Sequence, residues 1–313
     1  MTVLVTGGAG FLGSHITNHL IEEGYSVRVL DDLSTSNEEN MKGFTSKVDF
    51  IKGSYGNRKL LKKSLEGVDL VIHNAAFLGI KRTIENPWKV LVINNYFNHI
   101  FFDEISRSRV KKLIFASSSE VYGETLQVPM AENQPLRCNT PYQTCKKLSE
   151  TYCQVLNKEY GIDTCSFRYF NAYGPRQNST PYGFVTAIFL EKAMRGEPLM
   201  IFGDGTQTRD FTYISDIVDA NILAINKKTM GEIFNIGSGK EISINELAAK
   251  VAQLTNRNLD IIHTNPIEGD IKRRCADITK ARIYLGLTPK IAIDEGLKKT
   301  LEWVNRKKST KHD

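Results

Sequence analysis

A tyrosine and a lysine that could act together in proton transfer stand in "PYQTCKK", as Tyr142 and Lys146. They are four residues apart, so a helix places both side chains on one face. A nearby ammonium lowers the pKa of a phenol, which lets a phenolate act as a base near neutral pH. Upstream, "FASSSEVYG" brings serine hydroxyls to the end of a predicted strand, where one can hydrogen-bond a reacting oxygen. The pattern predicts general base chemistry.

A glycine-rich stretch, "TGGAGFLG", stands between the first predicted strand and the first predicted helix. Gly7, Gly10 and Gly13 allow a tight turn, a close approach to a pyrophosphate, and close packing of helix on strand. Free helix N–H groups near Phe11 then face the phosphates. The next predicted strand ends at Asp31, where a carboxylate binds ribose hydroxyls and repels a 2′-phosphate. The sequence therefore predicts NAD rather than NADP; a plain glycine-rich turn with a solvent-facing Asp31 is the alternative.

Strand-like and helix-like segments alternate through the first half of the chain, as a scaffold for these residues requires. Apolar runs such as "TVLVT", "VDLVIH" and "DTCSFRYFN" are separated by segments with helical periodicity. Such alternation predicts right-handed βαβ units on a parallel sheet. The predicted class is α/β, a Rossmann-type doubly wound parallel sheet with a smaller C-terminal α/β substrate-binding lobe.

The regular alternation weakens from about residue 172, which indicates a second lobe. We expect a NAD-binding domain over residues 1–171 with parts of 205–240. The nucleotide-sugar-binding lobe is expected over 172–204 and 241–306, followed by a basic tail at 307–313. A helix in this lobe is expected to close at Gly196 and Pro198.

Composition and charge exclude several other classes of protein. The chain has 313 residues and a formal net charge of +6, and the basic C-terminal end carries much of that excess. We therefore expect no nucleic-acid partner. No apolar run is long enough to span a membrane, and no signal peptide is predicted, so we expect a cytoplasmic protein without membrane contact. Five cysteines without C-x-x-C spacing argue against a disulfide framework and a zinc site; no metal is expected.

Several motifs in order resemble one known family over nearly the whole chain. They are "TGGAGFLG", "HNAA" at 73–76, "SSSEVYG", "PYQTCKK", "RYFNAYGPRQ" at 168–177, "GDGTQTRDFTYISDIVDA" at 203–220, and "FNIGSG" at 234–239. The sequence resembles an extended short-chain dehydrogenase/reductase of the NAD-dependent nucleotide-sugar epimerase/dehydratase family. The resemblance implies NAD as cofactor and a nucleotide sugar as substrate.

The resemblance assigns roles to individual residues of this chain. It implies that Ser118 is the catalytic serine, Tyr142 the base, and Lys146 the residue that binds the nicotinamide ribose. It also places Asn171 near the sugar diphosphate and Arg209 on the diphosphate, a task that suits a guanidinium fork. An alternative stays open for each of three residues: a cap at a strand end for Ser118, a turn for Asn171, and an ion pair with an acid for Arg209.

Further contacts are expected for the cofactor and the substrate. The expected cofactor contacts are Gly7, Gly10, Phe11, Leu12, Gly13, Asp31, Asp32, Ser54, Tyr55, Ala75, Ala76, Tyr142 and Lys146. Ser54 and Tyr55 enter because "KGSYG" lacks the acid that the family usually carries there. Phe202 is expected either to stack on the nucleotide base or to pack in the core.

One departure concerns the second diphosphate contact. The arginine that the family places just before the last Gly-Asp is missing from "NPIEGD" at 265–270, and Arg273 or Arg274 is the expected substitute.

The implied reaction is 4-epimerisation of a UDP-hexose or UDP-N-acetylhexosamine through a transient 4-keto sugar, with bound NADH. The alternative is 4,6-dehydration or decarboxylation, for which Glu120 would move the additional proton. A non-catalytic NAD-binding module is the remaining possibility. The segment 75–89 has no lysine where UDP-galactose 4-epimerases place theirs, which leaves that particular activity open. The resemblance also implies a homodimer through helices at about 88–108 and 142–160.

Overall fold

The computed structural model describes residues 1–125, 127–179, 183–267 and 270–309. Its strands are β1 (Thr2–Thr6), β2 (Ser26–Asp31), β3 (Asp49–Lys52), β4 (Leu70–His73), β5 (Lys112–Ser118), β6 (Asp163–Tyr169), β7 (Asn171–Tyr173), β8 (Leu199–Phe202), β9 (Thr208–Tyr213), β10 (Glu232–Ile236), β11 (Glu241–Ser243) and β12 (Ile261–Thr264). Residues 310–313 of the expected basic tail lie outside the described residues.

The α-helices of the described residues connect these strands. They are α1 (Phe11–Glu22), α2 (Arg58–Ser64), α3 (Ile80–Glu85), α4 (Pro87–Leu91), α5 (Phe97–Ser106), α6 (Pro141–Tyr160), α7 (Val185–Arg195), α8 (Ile214–Ile225), α9 (Ile244–Thr255), α10 (Thr279–Leu285) and α11 (Ile293–Ser309). A π-helical turn, Val92–Tyr96, joins α4 to α5, and a short 3-10 turn, Ser119–Tyr122, follows β5.

The main sheet contains seven strands within the described residues, in the order β10-β6-β5-β4-β1-β2-β3. Every neighbouring pair in it is parallel. The order runs outward in both directions from β1 and β4, so the loops that follow these two strands meet at a crevice on the carboxyl edge. The predicted class, a doubly wound parallel α/β sheet, is confirmed by the structure.

Two apolar layers cover the faces of this sheet. On one face, Val3, Val5 and Ile72 pack with α1 and α8; on the other, Leu4 and Val71 pack with α2, α5 and α6. The alternation follows from the pleat of a strand, which sends successive side chains to opposite faces. Because apolar side chains are buried on both faces of the sheet, close packing fixes the positions of the strand ends at the carboxyl edge.

The helix that carries Tyr142 has strong local signals at both ends. Thr140 caps it through the N–H of Gln143, the Gln143 side chain returns to the Thr140 backbone, and Pro141 occupies the first turn. Gly161 ends α6 with a left-handed φ of 68°, a conformation that glycine adopts without steric cost. The position of Tyr142 in the first turn is therefore set by sequence.

The C-terminal part adds two small sheets beside the main one. β11, β9 and β7 form one, and β12 pairs with β8 in the other. The apolar layer of α1 and α8 continues into α7, α9 and α11 without a break. The helix α7 ends at Gly196, as expected. The domain boundaries proposed from the sequence stay a prediction.

Two kinds of feature are absent from the described residues, a membrane-spanning helix and a metal-binding group of side chains. None of their helices combines the length and apolarity that crossing a bilayer needs. No group of three or more His, Cys, Asp or Glu side chains in the same residues has an arrangement suited to a metal ion.

Candidate functional site

The glycine loop lies at the carboxyl end of β1, where it forms a closely packed cradle. Gly7 has a φ of 68°, and a Cβ there would lie 2.8 Å from the backbone nitrogen of Ala75. A Cβ on Gly13 would lie 2.1 Å from the carbonyl oxygen of Gly7. Side chains are thus excluded at both positions by the backbone itself. Ala75, two residues after the end of β4, borders the loop, and Ala76 follows it in the chain.

The helix that follows the loop begins without a capping side chain. Gly10 is its N-cap, and no acidic residue stands in its first turn, which contains Phe11, Leu12 and Gly13. The first N–H groups of a helix have no partner within it and carry its positive end, so they attract a diphosphate. The cradle therefore fits the pyrophosphate of a dinucleotide.

The carboxylate of Asp31 is buried at the end of β2 and ties the loop together. It accepts a hydrogen bond of 3.0 Å from the Ala9 N–H and one of 2.7 Å from the Ser36 hydroxyl. The alternative of a solvent-facing Asp31 is therefore wrong. Asp32, the next residue, accepts a bond from the backbone of Ser34. The placement of Asp31 beside the glycine loop fits a ribose that lies next to that pyrophosphate.

The two residues expected to replace the missing acid after β3 lie in different surroundings. The Tyr55 ring is buried in the layer of α2, α5 and α6, and its hydroxyl donates to the carbonyl of Ile93 at 2.6 Å. The Tyr55 side chain is thus part of the core, and a cofactor contact at Tyr55 stays a prediction. Ser54 stays partly exposed and accepts from the N–H of Gly56.

The structure brings Ser118, Tyr142 and Lys146 together. Ser118 ends β5, and its hydroxyl lies close enough to Tyr142 in the first turn of α6 to lower the pKa of the phenol against the effect of burial. The Ser118 oxygen also caps the following 3-10 turn by accepting from the Glu120 N–H at 3.2 Å. The Lys146 ammonium donates to the carbonyl of Ala116 at 2.6 Å and lies 5.8 Å from the centre of the Tyr142 ring.

The two titratable groups of this trio are shifted in different directions. Burial, and then the negative charge of Glu120, raise the pKa of Tyr142, while Ser118 and the charge of Arg274 act in the opposite direction. The expected lowering of the Tyr142 pKa by a lysine is therefore wrong for this structure. Burial lowers the pKa of Lys146 to about 8, against the opposing charges of Cys145 and Glu150. The Lys146 ammonium donates to the carbonyl of Ala116 rather than to the phenol.

A second charged pair lies directly beside Tyr142. Glu120 in the 3-10 turn forms an ion pair and a hydrogen bond with Arg274, whose side chain is almost completely buried. Burial disfavours ionisation of Glu120, but the charge of Arg274 and hydrogen bonds from Arg274 and Gln143 hold its pKa below the usual range. The Nε of Arg274 is buried without a protein partner. The site therefore presents an ionised carboxylate and an unsatisfied guanidinium donor.

The expected diphosphate residues lie in the lobe strands that face this pair. Arg209, on β9, is buried and forms an ion pair with Asp270, so pairing with an acid is realised in the structure. Asn171 begins β7, and its amide donates to the carbonyl of Asp210 at 3.4 Å. The ionisation of Glu120 is favoured by the charge of Arg209 as well as that of Arg274. Both arginines thus lie near the carboxylate of Glu120.

Two other expected substrate residues are placed at the surface. Phe202 is half-exposed on β8, so the core alternative for it is wrong, and stacking stays a prediction. Arg273 is exposed and pairs with Glu241 on β11, away from the Glu120 pair that its neighbour Arg274 joins. An arginine on an extended segment points opposite to its neighbour, and this alternation separates the two. Of "NPIEGD", Glu268 and Gly269 lie outside the described residues.

Sequence reasoning missed two residues of the site. Gln143 was not singled out, although a glutamine three residues after Thr140 is the signature of a capping box. Arg274 was named only as a substitute diphosphate contact, and no local pattern connects it to Glu120, which stands 154 residues earlier.

Comparisons with known proteins agree with this geometry. The family model described as the NAD dependent epimerase/dehydratase family matches residues 3–237. A putative UDP-glucose 4-epimerase of Methanocaldococcus jannaschii is 38% identical, over 98% of this chain and 100% of that one. A UDP-N-acetyl-α-D-glucosaminuronate decarboxylase of Bacillus cytotoxicus is 35% identical, over 96% of each chain.

A solved structure shows the same likeness in three dimensions. The crystal structure of UDP-glucose 4-epimerase from Thermotoga maritima, with UDP-glucose, superposes with a TM-score of 0.94. It is 35% identical and covers 98% of this chain and 99% of that one. The fold, the glycine cradle and these matches lead to one conclusion. The chain is an enzyme of the NAD dependent epimerase/dehydratase family, and NAD is its cofactor.

Proposed function

We propose that the protein is a nucleotide-sugar 4-epimerase that acts on a UDP-hexose or UDP-N-acetylhexosamine. The observation that carries the proposal is the trio at the end of β5, in which the Ser118 hydroxyl and Lys146 both lie beside Tyr142. The relatives from Methanocaldococcus jannaschii and Thermotoga maritima bear the name of this activity. Whether the sugar is a hexose or an acetamido sugar depends on the shape of the sugar pocket, which single side chains can change.

In the proposed reaction, Tyr142 removes the proton of the C4 hydroxyl as C4 loses its hydride, and later returns that proton to the C4 oxygen when C4 regains a hydride on its opposite face. The Ser118 hydroxyl donates to the same oxygen, and Lys146 binds the ribose of the cofactor at the foot of the site. NAD, held by the glycine turn, Asp31 and Lys146, would supply the hydride acceptor for C4 and, once the 4-keto sugar has turned, the hydride donor for the opposite face of C4. Because hydride and proton both come back, the product has the mass of the substrate.

The cofactor is proposed to lie along the carboxyl edge of the main sheet. The turn of Gly7, Gly10 and Gly13 and the first turn of α1 would hold its pyrophosphate, and Asp31 its adenosine ribose. Asp32, Ser54, Ala75 and Ala76 are proposed as further contacts, because they stand within three residues after the carboxyl ends of β2, β3 and β4.

The nucleotide end of the substrate is proposed to anchor the sugar while its ring rotates. Arg209 would bind the diphosphate, which then replaces Asp270 as its partner, and Asn171 lies next to it. Phe202 offers a half-exposed ring to the base. Binding energy from this remote part holds the reacting carbon near Tyr142 in both orientations.

A second candidate function is decarboxylation of a UDP-linked uronic acid. The ion pair of Glu120 with Arg274 favours it, because Arg274 offers a buried guanidinium donor to a sugar carboxylate beside the base. The relative from Bacillus cytotoxicus is named a decarboxylase of this kind. Dehydration is less favoured, since the lowered pKa of Glu120 makes it a poor proton donor.

Product analysis separates these reactions. Purified protein is incubated with UDP-glucose, UDP-N-acetylglucosamine or UDP-glucuronate without added reductant, and the products are identified by mass spectrometry and NMR. We expect an unchanged mass with inversion at C4. Loss of carbon dioxide would support the second candidate, and loss of water would support a dehydratase. Bound NAD without turnover of any substrate would point to a non-catalytic module.

Two variants check the assignment of residues. Tyr142→Phe removes only the hydroxyl, so we expect kcat to fall by about 10²- to 10⁴-fold while NAD content and unfolding temperature are retained. Glu120→Gln keeps the shape but removes the charge, and epimerisation should keep most of its kcat because it needs one base. A Glu120→Gln variant that loses turnover as completely as Tyr142→Phe would favour the second candidate.

We further propose a cytoplasmic homodimer. All five cysteines are free thiols, which suits a reducing compartment. Large apolar side chains are exposed on two helices that pack side by side, α4 and α6. They include Trp88, Leu91, Leu148 and Val155, and the exposed fraction of Trp88 is 77%. A second copy that covered both helices would bury this surface.

A further inference from the structure

A fully buried ion pair lies beneath the trio of Ser118, Tyr142 and Lys146. Arg168 on β6 and Glu150 on α6 are 1% and 0% exposed to solvent. Two bonds of 2.8 Å join them, from the Arg168 Nε and from one terminal nitrogen to the two carboxylate oxygens of Glu150. Such a bidentate pair allows one relative placement of its two elements.

Glu150 is also hydrogen-bonded to the strand that carries the catalytic serine. The Ser117 hydroxyl donates to a carboxylate oxygen of Glu150 at 2.7 Å. Ser117 is the residue before Ser118, and both belong to β5. The Glu150 carboxylate therefore connects three elements: its own helix α6, the strand β5 and the strand β6.

The contacts between one face of α6 and β5 fall on consecutive residues of the strand. Tyr142, Lys146 and Glu150 stand at intervals of four residues, so they share one face of the helix. That face meets three successive residues of β5: Lys146 donates to the carbonyl of Ala116, Glu150 accepts from Ser117, and Tyr142 lies beside Ser118. The first and last of these contacts lie in the site, and the middle one joins the ion pair.

The charges around Lys146 give Glu150 a second effect. The groups that face its ammonium are Cys145, Tyr142 and Glu150 on α6, the carbonyl of Ala116 and the ring of Phe115 on β5, and His73 on β4. Burial lowers the pKa of His73 to about 3, so it carries no charge near neutral pH. Glu150 is thus a source of negative charge for Lys146, opposing the effect of burial on its pKa.

We infer that the ion pair of Glu150 and Arg168 positions Tyr142 and Lys146 against β5, with Ser117 as the connecting group. This inference deepens the proposed function and rests on it. Neither member of the pair touches the substrate, so both are positioning residues. A buried ion pair adds little net stability compared with apolar side chains, but its geometry defines one register between helix and strand. The distance from Tyr142 to the Ser118 hydroxyl depends on that register.

The test compares two ion pairs that each include a residue of β6. Glu150→Gln breaks the pair beneath the site, and Asp163→Asn breaks the pair of Asp163 with Lys112 at the amino ends of β5 and β6. We expect both variants to unfold at a lower temperature than the wild type. We expect only Glu150→Gln to lower kcat, by about tenfold to a hundredfold with little change in KM, since a displaced base acts through kcat.

A readout that does not depend on turnover is the titration of Lys146, followed by NMR of isotope-labelled lysine side chains. Loss of the Glu150 charge should move this pKa further below its wild-type value, and Asp163→Asn should leave it unchanged. Equal stability losses, with kcat and the Lys146 titration unchanged in both variants, would overturn the inference and leave the pair a structural feature.

A milder variant covers the case in which Glu150→Gln does not fold. Ser117→Ala removes the hydroxyl but leaves both charges, so it should lower kcat while the unfolding temperature and the Lys146 titration stay near wild type. Unchanged kcat in Ser117→Ala would contradict the connection through β5. If the wild type turns over no nucleotide sugar, the proposed function fails, and the Lys146 titration then decides the electrostatic part of the inference independently.

Discussion

Tyr142 and Lys146 lie within one turn of α6, yet burial acts on them in opposite directions. It raises the pKa of the phenol and lowers the pKa of the ammonium, because both charged forms are disfavoured in a dry site. Shifted groups of this kind mark functional sites more often than ordinary core positions. Proton transfer at this site therefore depends on pH through two groups, one whose pKa is raised by burial and one whose pKa is lowered by it.

The pH dependence of turnover follows from Lys146. Its pKa is lowered to about 8, so the ammonium form is lost as the pH rises through that value. We expect kcat/KM to fall on the alkaline side with an apparent pKa near the value that NMR gives for Lys146 in the free enzyme. A profile of kcat/KM that stays flat well above that pH would show that the ammonium is not required.

The control for this assignment is stability over the same pH range. The unfolded chain holds the lysine proton up to about 10.5, whereas the folded chain releases it near 8. Between these values unfolding takes up a proton, so the free energy of unfolding rises with pH, and below about 8 Lys146 adds no pH dependence. Urea unfolding should show a steeper rise for the wild type than for Lys146→Met. Equal slopes would contradict the lowered pKa.

At the scale of elements, the turn from β1 into α1 makes the cofactor cradle. Its geometry depends on backbone atoms that touch: the position of a Cβ on Gly13 is already occupied by the carbonyl of Gly7. Gly10 differs, because it has a φ of −75° and its Cβ would meet only the Gly7 oxygen, at 3.1 Å. A substitution at Gly13 is therefore expected to disturb the folding of the turn. A substitution at Gly10 is expected to affect mainly the space available to the cofactor.

Substitution of these glycines tests the cradle. Gly13→Ala forces the turn open, so we expect a stability loss of about 1–3 kcal/mol together with loss of NAD. Gly10→Ala should fold at nearly the wild-type temperature but bind NAD more weakly, because its methyl group projects toward the phosphates. NAD content after purification and thermal unfolding give both quantities. Full NAD content in Gly13→Ala would place the cofactor elsewhere.

At the scale of the molecule, the strand order brings distant segments to one opening. The ends of β1, β4 and β5 supply the loop and the trio, and the C-terminal lobe adds Arg209 and Arg274 from the other side. The apolar layer that runs from the sheet into the lobe holds the two sides together. Helices α4 and α6 face away from this layer and carry the exposed apolar side chains.

The proposed dimer predicts a change of mass with one substitution. Trp88→Glu places a charge in the apolar surface of α4, so the protein should become a monomer by light scattering or ultracentrifugation. Ile283→Glu is the matched control, since Ile283 is 70% exposed on α10 and lies outside the proposed interface. A wild type that is already monomeric, or a Trp88→Glu variant that stays dimeric, would contradict the proposal.

The sequence by itself determined the local features of this protein. The glycine spacing, the acid that ends β2 and the four-residue interval from Tyr142 to Lys146 all act within a turn or a single helix. Short-range sterics and helix periodicity suffice to predict them. The alternation of apolar, strand-like runs with helical segments likewise predicted the parallel sheet. Each strand of such a sheet buries both faces, so its sequence is a run of apolar residues.

Only the tertiary structure decided which distant side chains meet. Arg274 reaches Glu120, Arg273 turns to the surface, Tyr55 enters the core, and Glu150 pairs with Arg168 beneath the site. These outcomes depend on strand order, on the register of α6 against β5 and on how the lobe packs. No local pattern carries that information, because the free energy of such a contact depends on burial by residues far away in the chain.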